Sequence, residues 1–240
     1  MRKNPMTMRG LIDRCWLFTY NTPVEEARCL LPPQLEPITH RGKAFWNIVV
    51  SHIQAMRPWF VPLPVGVSYW HAGYRIYVRI QPEEGEPVEG LYFLRSDCSS
   101  PLMSFAGNLL TDFNFHAAGI HLMASSSGIT LRIESPDGSA QARVGIHPPD
   151  VLSAGSVFDT LQEAASFLKY KPYRISINKD ATANVVRIVR QEDAWRSHLL
   201  RVEEAQWAFF EGRSVTPEIC YQVDPISYQW NRGQIVRVRS

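Results

Sequence analysis

The segment Trp70-His71-Ala72-Gly73-Tyr74-Arg75-Ile76-Tyr77-Val78-Arg79-Ile80 gathers the most reactive side chains of this 240-residue chain. Read as a strand, its period of two puts His71, Arg75, Tyr77 and Arg79 on one side and Tyr74, Ile76, Val78 and Ile80 on the other. An imidazole, a guanidinium and a phenol on one face suit anion binding: Arg75 could hold a carboxylate through paired hydrogen bonds, and Tyr77 could orient it or pass a proton. The opposite reading makes this a solvated outer face with Arg79 in water, and alternation alone does not separate the two. Lys169 and Lys171 are the only clustered lysines. Two exposed cations at a helix-to-strand junction are the favoured reading over an amine whose pKa is depressed by its neighbour. Cys98 opens a helix, where a thiolate would be activated, yet no His is near in sequence and a buried, inert thiol is expected. His116 and His121 are five apart and no H-E-x-x-H occurs, so no metal site is expected. Neither G-x-S-x-G, a P-loop nor G-x-G-x-x-G appears, and no cofactor is expected.

The composition narrows the partners. Twenty-five Lys plus Arg oppose 23 Asp plus Glu, a net charge of +2 with no charged tail, which argues against nucleic acid. Only five of the cations are Lys. Hydrophobic content of 45% with 20% charged residues excludes disorder and coiled coil, and the length excludes a disulfide-stapled miniprotein. The four cysteines form no C-x-x-C pair, as in reduced cytosolic proteins. Arg2, Lys3 and Arg9 resemble a signal n-region, but Leu11-Ile12 runs at once into Asp13-Arg14, leaving no h-region. The longest charge-free stretch, Phe113 to Leu131, carries Asn114, His and Ser and is too polar to span a membrane. A cytoplasmic protein, with homo-oligomerisation left open, is the expectation.

The elements that must position these side chains are mostly strands. Thr22-Pro23-Val24-Glu25 reads as a capping box opening a helix over Val24 to Leu31, ended by Pro32-Pro33. Ala44–Ile53, Tyr69–Ile80 and Val88–Asp97 read as extended, the last two forming a hairpin across Pro82 to Pro87. Ser99/Ser100 with Pro101 opens a second helix, whose Leu102, Phe105, Ala106, Leu109, Leu110 and Phe113 recur at three and four, predicting one core face. Ile129–Glu134 and Gln141–Ile146 alternate about the turn Pro136-Asp137-Gly138-Ser139. Asp159 with Gln162 caps a third helix carrying Leu161, Ala164, Ala165 and Leu168. Tyr173–Ile177 and Val185–Arg190 flank a turn at Lys179-Asp180, and Leu199–Phe210 and Cys220–Val238 read as further strand. With no long linker or repeat, one domain over 1–240 is expected. Strands joined by hairpins favour an antiparallel sheet rolled into a barrel over βαβ units.

The order of several loose motifs then carries a resemblance. Gly73 through Tyr77-Val78, Gly90-Leu91-Tyr92-Phe93 leading to Asp97, and a helix with an aromatic-rich end resemble the YqjF-like family of the acetoacetate decarboxylase-like superfamily. Cys15-Trp16-Leu17-Phe18, Leu30-Leu31-Pro32, Gly42-Lys43-Ala44-Phe45-Trp46, Phe167-Leu168, Trp195 and Tyr228-Gln229-Trp230 fit in order, so the resemblance spans most of the chain. It implies a mainly β (α+β) fold: an antiparallel, cone-like barrel around a central cavity, with two or three short helices. In the true decarboxylases of that superfamily a Schiff-base lysine sits in a Phe-Pro-Lys-Lys run, activated by a second cation. The matching run is Phe113-Asn114-Phe115-His116, which puts Phe115 at the catalytic position and His116 at the second lysine. No lysine lies between Lys43 and Lys169, so imine-forming decarboxylation is not expected. Relatives usually carry Glu at His71 and Asn at Gly73, whereas Arg75 and Tyr77 match; replacing the carboxylate by an imidazole makes the pocket less negative.

The expectation is a protein that binds a small, largely apolar carboxylate or ketone in the central cavity. Arg75 and Tyr77 would anchor it, Phe115 would be a wall, and His71 and His116 would be candidate proton-transfer groups. The alternatives are a lyase or hydrolase using His71 or His116 as acid/base, and a non-enzymatic interaction protein whose cavity is filled by its own aromatics.

Overall fold

Apolar residues at alternate positions on both sides of the longest strands force those strands to serve two cores at once. The computed structural model describes residues 3–136, 138–145, 147–169, 171–190 and 196–239; Asp137, Ile146 and Trp195 of the sequence motifs lie outside them. The chain begins with β1 (Met8–Pro23), α1 (Val24–Arg28) and the short β2 (Glu36–Pro37) and β3 (Thr39–His40). The three strands β4 (Lys43–Pro58), β5 (Val67–Ile80) and β6 (Val88–Cys98) follow, then α2 (Pro101–Leu110) and β7 (Phe115–Ala117). Next come β8 (Gly119–Ala124), β9 (Gly128–Glu134), β10 (Ala140–Gly145) and α3 (Leu161–Phe167). The remainder is β11 (Tyr173–Ile177), β12 (Ala183–Arg190), β13 (Ser197–Leu200), β14 (Val202–Trp207), β15 (Thr216–Val223), β16 (Ile226–Trp230) and β17 (Gln234–Val236).

The pairing makes a circuit. β4 lies antiparallel between β1 and β5, β5 pairs with β6, β6 meets β11 in parallel, β11 pairs with β12, β12 with β16, and β16 returns to β1. One face of these strands carries Trp16, Phe18, Trp46, Ile48, Tyr74 and Ile76, which pack with Leu131, Ile133, Val144 and Trp207 of a separate sheet ordered β14-β10-β9-β8. The opposite face carries Cys15, Leu17, Val49, Ile53 and Phe93 and surrounds a cavity. The predicted mainly antiparallel architecture is therefore what the chain adopts, and the described helices are short.

Local signals are met with instructive shifts. Pro23, not Thr22, is the N-cap residue of α1, and no side chain caps it. The Thr22 hydroxyl instead donates to the Ser214 carbonyl at 2.9 Å, and Glu26 accepts from the Ser214 amide, so the expected capping box is spent on a tertiary contact. That helix ends at Arg28, three residues before the expected Leu31. Thr160 caps α3 through the Glu163 amide while Glu163 accepts from the Asp159 amide. The box is thus one residue later than predicted, because Asp159 is held by Arg41 at 2.7 and 2.5 Å. Leu199–Phe210 is not one strand; it divides into β13, β14 and a 3₁₀ turn over Ala208–Phe210.

The largest correction concerns α2. Ser100 caps it through the Met103 amide as expected, but Leu102, Phe105 and Leu109 are 61%, 71% and 51% exposed. The side that meets the protein is Met103, Ala106, Gly107 and Leu110. Apolar spacing identifies a stripe but not which flank is covered, and this charge-free helix is apolar on both.

A buried ion pair on β6 sits where the large sheet meets the small one. Arg95 Nε donates to Asp97 Oδ1 at 2.8 Å, with both side chains almost inaccessible, and Arg95 Nη2 reaches Ser135 at the end of β9. Removing the anion strands a buried guanidinium. Asp97→Ala is expected to lower stability by about 3–5 kcal/mol in equilibrium urea denaturation; a loss under about 1 kcal/mol would mean the pair is dispensable.

Candidate functional site

The cavity has a volume of about 200 Å³. Its side walls come from β1, β4, β5 and β6, and its end is covered by α2, the segment Asn4–Met6 and Trp230-Asn231. Most of the lining is aliphatic or aromatic, which makes the few polar groups decisive. The deepest of them come from β5, whose predicted polar face points inward for His71 and Arg75 and leaves Arg79 half-exposed against Glu89 at 2.7 Å.

Arg75 is 5% exposed. Its position follows from an irregularity in the β5–β6 ladder between Tyr74 and Arg75, which pairs Arg75 directly with Phe93. Cross-strand neighbours share a face, and the guanidinium carbon lies 5.3 Å from the Phe93 ring centroid. Arg75 Nη2 donates to Asn47 Oδ1 and Nε reaches the Asn47 carbonyl at 3.5 Å. Asn47 Nδ2 in turn donates to Tyr77 Oη at 2.9 Å, and the Tyr77 hydroxyl donates to the Leu168 carbonyl at 2.7 Å. Tyr77 therefore does not line the cavity. It stands behind Arg75, with its proton committed to a carbonyl and its phenol pushed up by burial.

His71 is buried on the cavity wall. Burial, reinforced by the Arg75 charge, pushes its imidazole down to about 3. The ring is neutral at ordinary pH, and its Nε2 has no hydrogen-bond partner among the described residues. It sits 6.4 Å from the Phe93 ring and 5.8 Å from that of Phe115. A Cβ on Gly73 would lie 3.0 Å from His71 Cε1 and 3.1 Å from Phe93 Cε1. The pair His71 and Gly73 is thus coupled: the imidazole fills space that a larger residue at 73 would claim. Burial also drives the Cys15 thiol, on the same wall, up to about 12, so it stays protonated.

Phe115 lines the cavity, as its place in the sequence motif suggested. The Asn108 side chain clamps its backbone, donating to its carbonyl at 2.9 Å and accepting from its amide at 2.7 Å. Its ring lies over Gly107, where any Cβ would collide with it. His116 faces elsewhere. It pairs in register with Asp97 and does not line the cavity. Lys169 is exposed and Lys171 is bonded to Glu89 at 2.7 Å, so neither reaches this site. Cys98 is fully buried with its thiol pKa raised by burial, the inert thiol expected.

Asn47, Ser51, Tyr69 and Tyr228 were not singled out from sequence. Asn47 had a signal: it is the polar member of the run Phe45-Trp46-Asn47-Ile48-Val49-Val50, two residues from Phe45 and Val49 on one strand face.

A buried arginine and a neutral histidine thus line one apolar cavity inside a mainly antiparallel β fold. Residues 12–228 match the DUF2071 family, described as an uncharacterized conserved protein, and the chain belongs to that family. No curated protein sequence matches it. Among solved structures it is similar to an acetoacetate decarboxylase-like enzyme from Sphingomonas wittichii RW1, at 11% identity and TM-score 0.59 over 97% of this chain and 93% of that one. It is also similar to acetoacetate decarboxylase from Legionella pneumophila, at 13% identity and TM-score 0.54 over 98% and 89%. A third is the enduracididine biosynthesis enzyme MppR complexed with pyruvate, at 11% identity and TM-score 0.54 over 98% and 91%.

The depressed His71 pKa has a testable consequence. Unfolded, the imidazole takes a proton below about pH 6.5; folded, it refuses one until about pH 3, so stability falls as pH drops through that window. His71→Gln is expected to flatten the pH dependence of unfolding free energy between pH 7 and 4.5, by up to about 1.4 kcal/mol per pH unit. Parallel curves for the two proteins would mean that the imidazole is not held neutral.

Proposed function

We propose that this protein binds a small, largely apolar carboxylate or ketone in the central cavity, with Arg75 meeting the oxygen-bearing head and the aliphatic walls taking the rest. The observation that carries this reading is the placement, in one otherwise apolar cavity, of a buried guanidinium beside a neutral imidazole whose Nε2 lacks a described partner. Burying a guanidinium costs several kcal/mol after relaxation, and an incoming oxygen anion offsets part of that cost. The neutral His71 ring lies on the same cavity wall and adds no charge of its own. Asn47 and Tyr77 position Arg75, and Phe115 with Phe93 forms the walls around the head group. At about 200 Å³ the space exceeds the roughly 150 Å³ that holds a benzene ring in an engineered cavity, which supports an open site over one filled by its own aromatics.

Acid/base turnover is the weaker reading. A histidine that stays neutral down to about pH 3 accepts or donates hydrogen bonds but is a poor proton shuttle near neutrality, and His116 is outside the cavity. No lysine is among the described lining residues, which weighs against imine formation by the route of the superfamily's decarboxylases. The similarity to a structure holding pyruvate, a small keto acid, supports the ligand class without extending to chemistry.

Titration calorimetry with hexanoate, 2-oxohexanoate and hexylamine tests the reading. The two carboxylates are expected to bind and the amine not. Arg75→Gln should weaken carboxylate binding by about 10- to 100-fold, the equivalent of one charge-assisted hydrogen bond. Failure of any carboxylate to bind, or equal affinity with and without Arg75, overturns the proposal. Borohydride added with 2-oxohexanoate is expected to leave no reduced adduct; a trapped lysine would restore amine chemistry.

A further inference from the structure

Two apolar surfaces remain uncovered. The first is the β4–β5 connection between Pro58 and Val67, which contains no charged side chain and one hydrogen-bonding side chain, the indole of Trp59. Within it Trp59, Phe60, Leu63 and Val65 are 56–64% exposed. The second is the outer flank of α2, with Leu102, Phe105 and Leu109. The N-terminal segment joins them. Its Asn4 amide donates to the Leu110 carbonyl at the end of α2, and its Thr7 carbonyl accepts from the Trp59 amide at 3.0 Å. Met6 and Met8 of the same segment line the cavity, as does Met56 just before the connection. The seven exposed apolar side chains are each more than half accessible, the kind of surface that marks an interaction site.

The charges around this patch are mostly cationic. Lys3 donates to the Asn108 and Leu109 carbonyls at the end of α2. Arg57 braces the base of the connection through the Ala55 and Val61 carbonyls. Arg9 and Arg232 are exposed beside it, with the Arg232 amide bonded to Thr7 Oγ1. The nearby anion, Asp112, is shared by Lys3 at 3.9 Å and Arg174 at 3.8 Å. A mostly basic rim disfavours its own copy across a two-fold interface, whereas it complements anionic headgroups. Exposed Trp and Phe on a turn flanked by Arg and Lys match the chemistry of the membrane–water interface.

We propose that this end of the molecule docks on an anionic lipid surface, the Trp59-Phe60 turn and the outer flank of α2 entering the interface and Lys3, Arg9, Arg57 and Arg232 meeting the headgroups. The inference goes beyond the ligand assigned above and does not depend on it, since it rests on the outer surface alone.

Co-sedimentation of the full chain with phosphatidylcholine vesicles, with and without phosphatidylglycerol, is the test. Binding is expected only with the anionic lipid and should weaken as salt rises. Trp59→Ser with Phe60→Ser should cut it roughly tenfold or more, and Phe105→Ser should cut it through the second surface. Unchanged melting temperatures and unchanged hexanoate affinity would show that fold and cavity are intact in these variants. The proposal is overturned by absence of vesicle binding at low salt, by equal binding to neutral vesicles, or by variants that bind as wild type. It is also overturned if sedimentation shows a dimer that Trp59→Ser or Phe105→Ser dissociates, because a second copy is then the occupant.

Discussion

Holding one guanidinium inside an apolar cavity is the constraint on which the site depends. Arg75 stays in place because Asn47 accepts from it, Asn47 is held by Tyr77, and Tyr77 is held by the Leu168 carbonyl at the end of α3. A helix far along the chain is thereby connected to a side chain deep in the β4–β5 pair. The buried charge also sets its neighbours' protonation. His71 is kept neutral first by desolvation and then by Arg75, and Cys15 stays a thiol because desolvation outweighs the favourable Arg75 field.

The rest of the architecture serves to keep that cavity both enclosed and open inside. Each long strand presents one face to the Trp-rich core under the small sheet and the other to the cavity. The ladder irregularity at Tyr74/Arg75 brings Phe93 opposite the guanidinium. Gly107 lets the Phe115 ring lie flat against α2, and Gly73 leaves room for the His71 ring. Phe115 lines the cavity and presents an aromatic wall there. Binding by charge and shape is the chemistry such a wall permits.

Much of this organisation was legible in the chain. Period-two alternation located β5, β6, β9 and β11 closely, and motif order pointed to the superfamily. Helix positions were also legible, but their capping details were not, because Thr22 and Asp159 have tertiary partners, Ser214 and Arg41, that outcompete local caps. Half of the α2 stripe assigned to the core, Leu102, Phe105 and Leu109, is exposed while Ala106, Leu110 and Phe113 line the cavity, since periodicity carries no information about what covers a face. Asn47 was overlooked because its importance lies in two contacts across the sheet, one to Arg75 and one to Tyr77, which sequence spacing does not display.

Local pattern thus determined the strands, the shared inward direction of His71 and Arg75 once one face was buried, and the absence of any lysine between Lys43 and Lys169. Tertiary structure decided which face was inward, that Tyr77 supports Arg75 instead of meeting a ligand, that His116 turns away, and that His71 is neutral. The reason is physical. Alternation and capping are set by interactions within a few residues, whereas burial, dielectric surroundings and hydrogen-bond partners arise only when residues tens to hundreds apart in sequence are brought together.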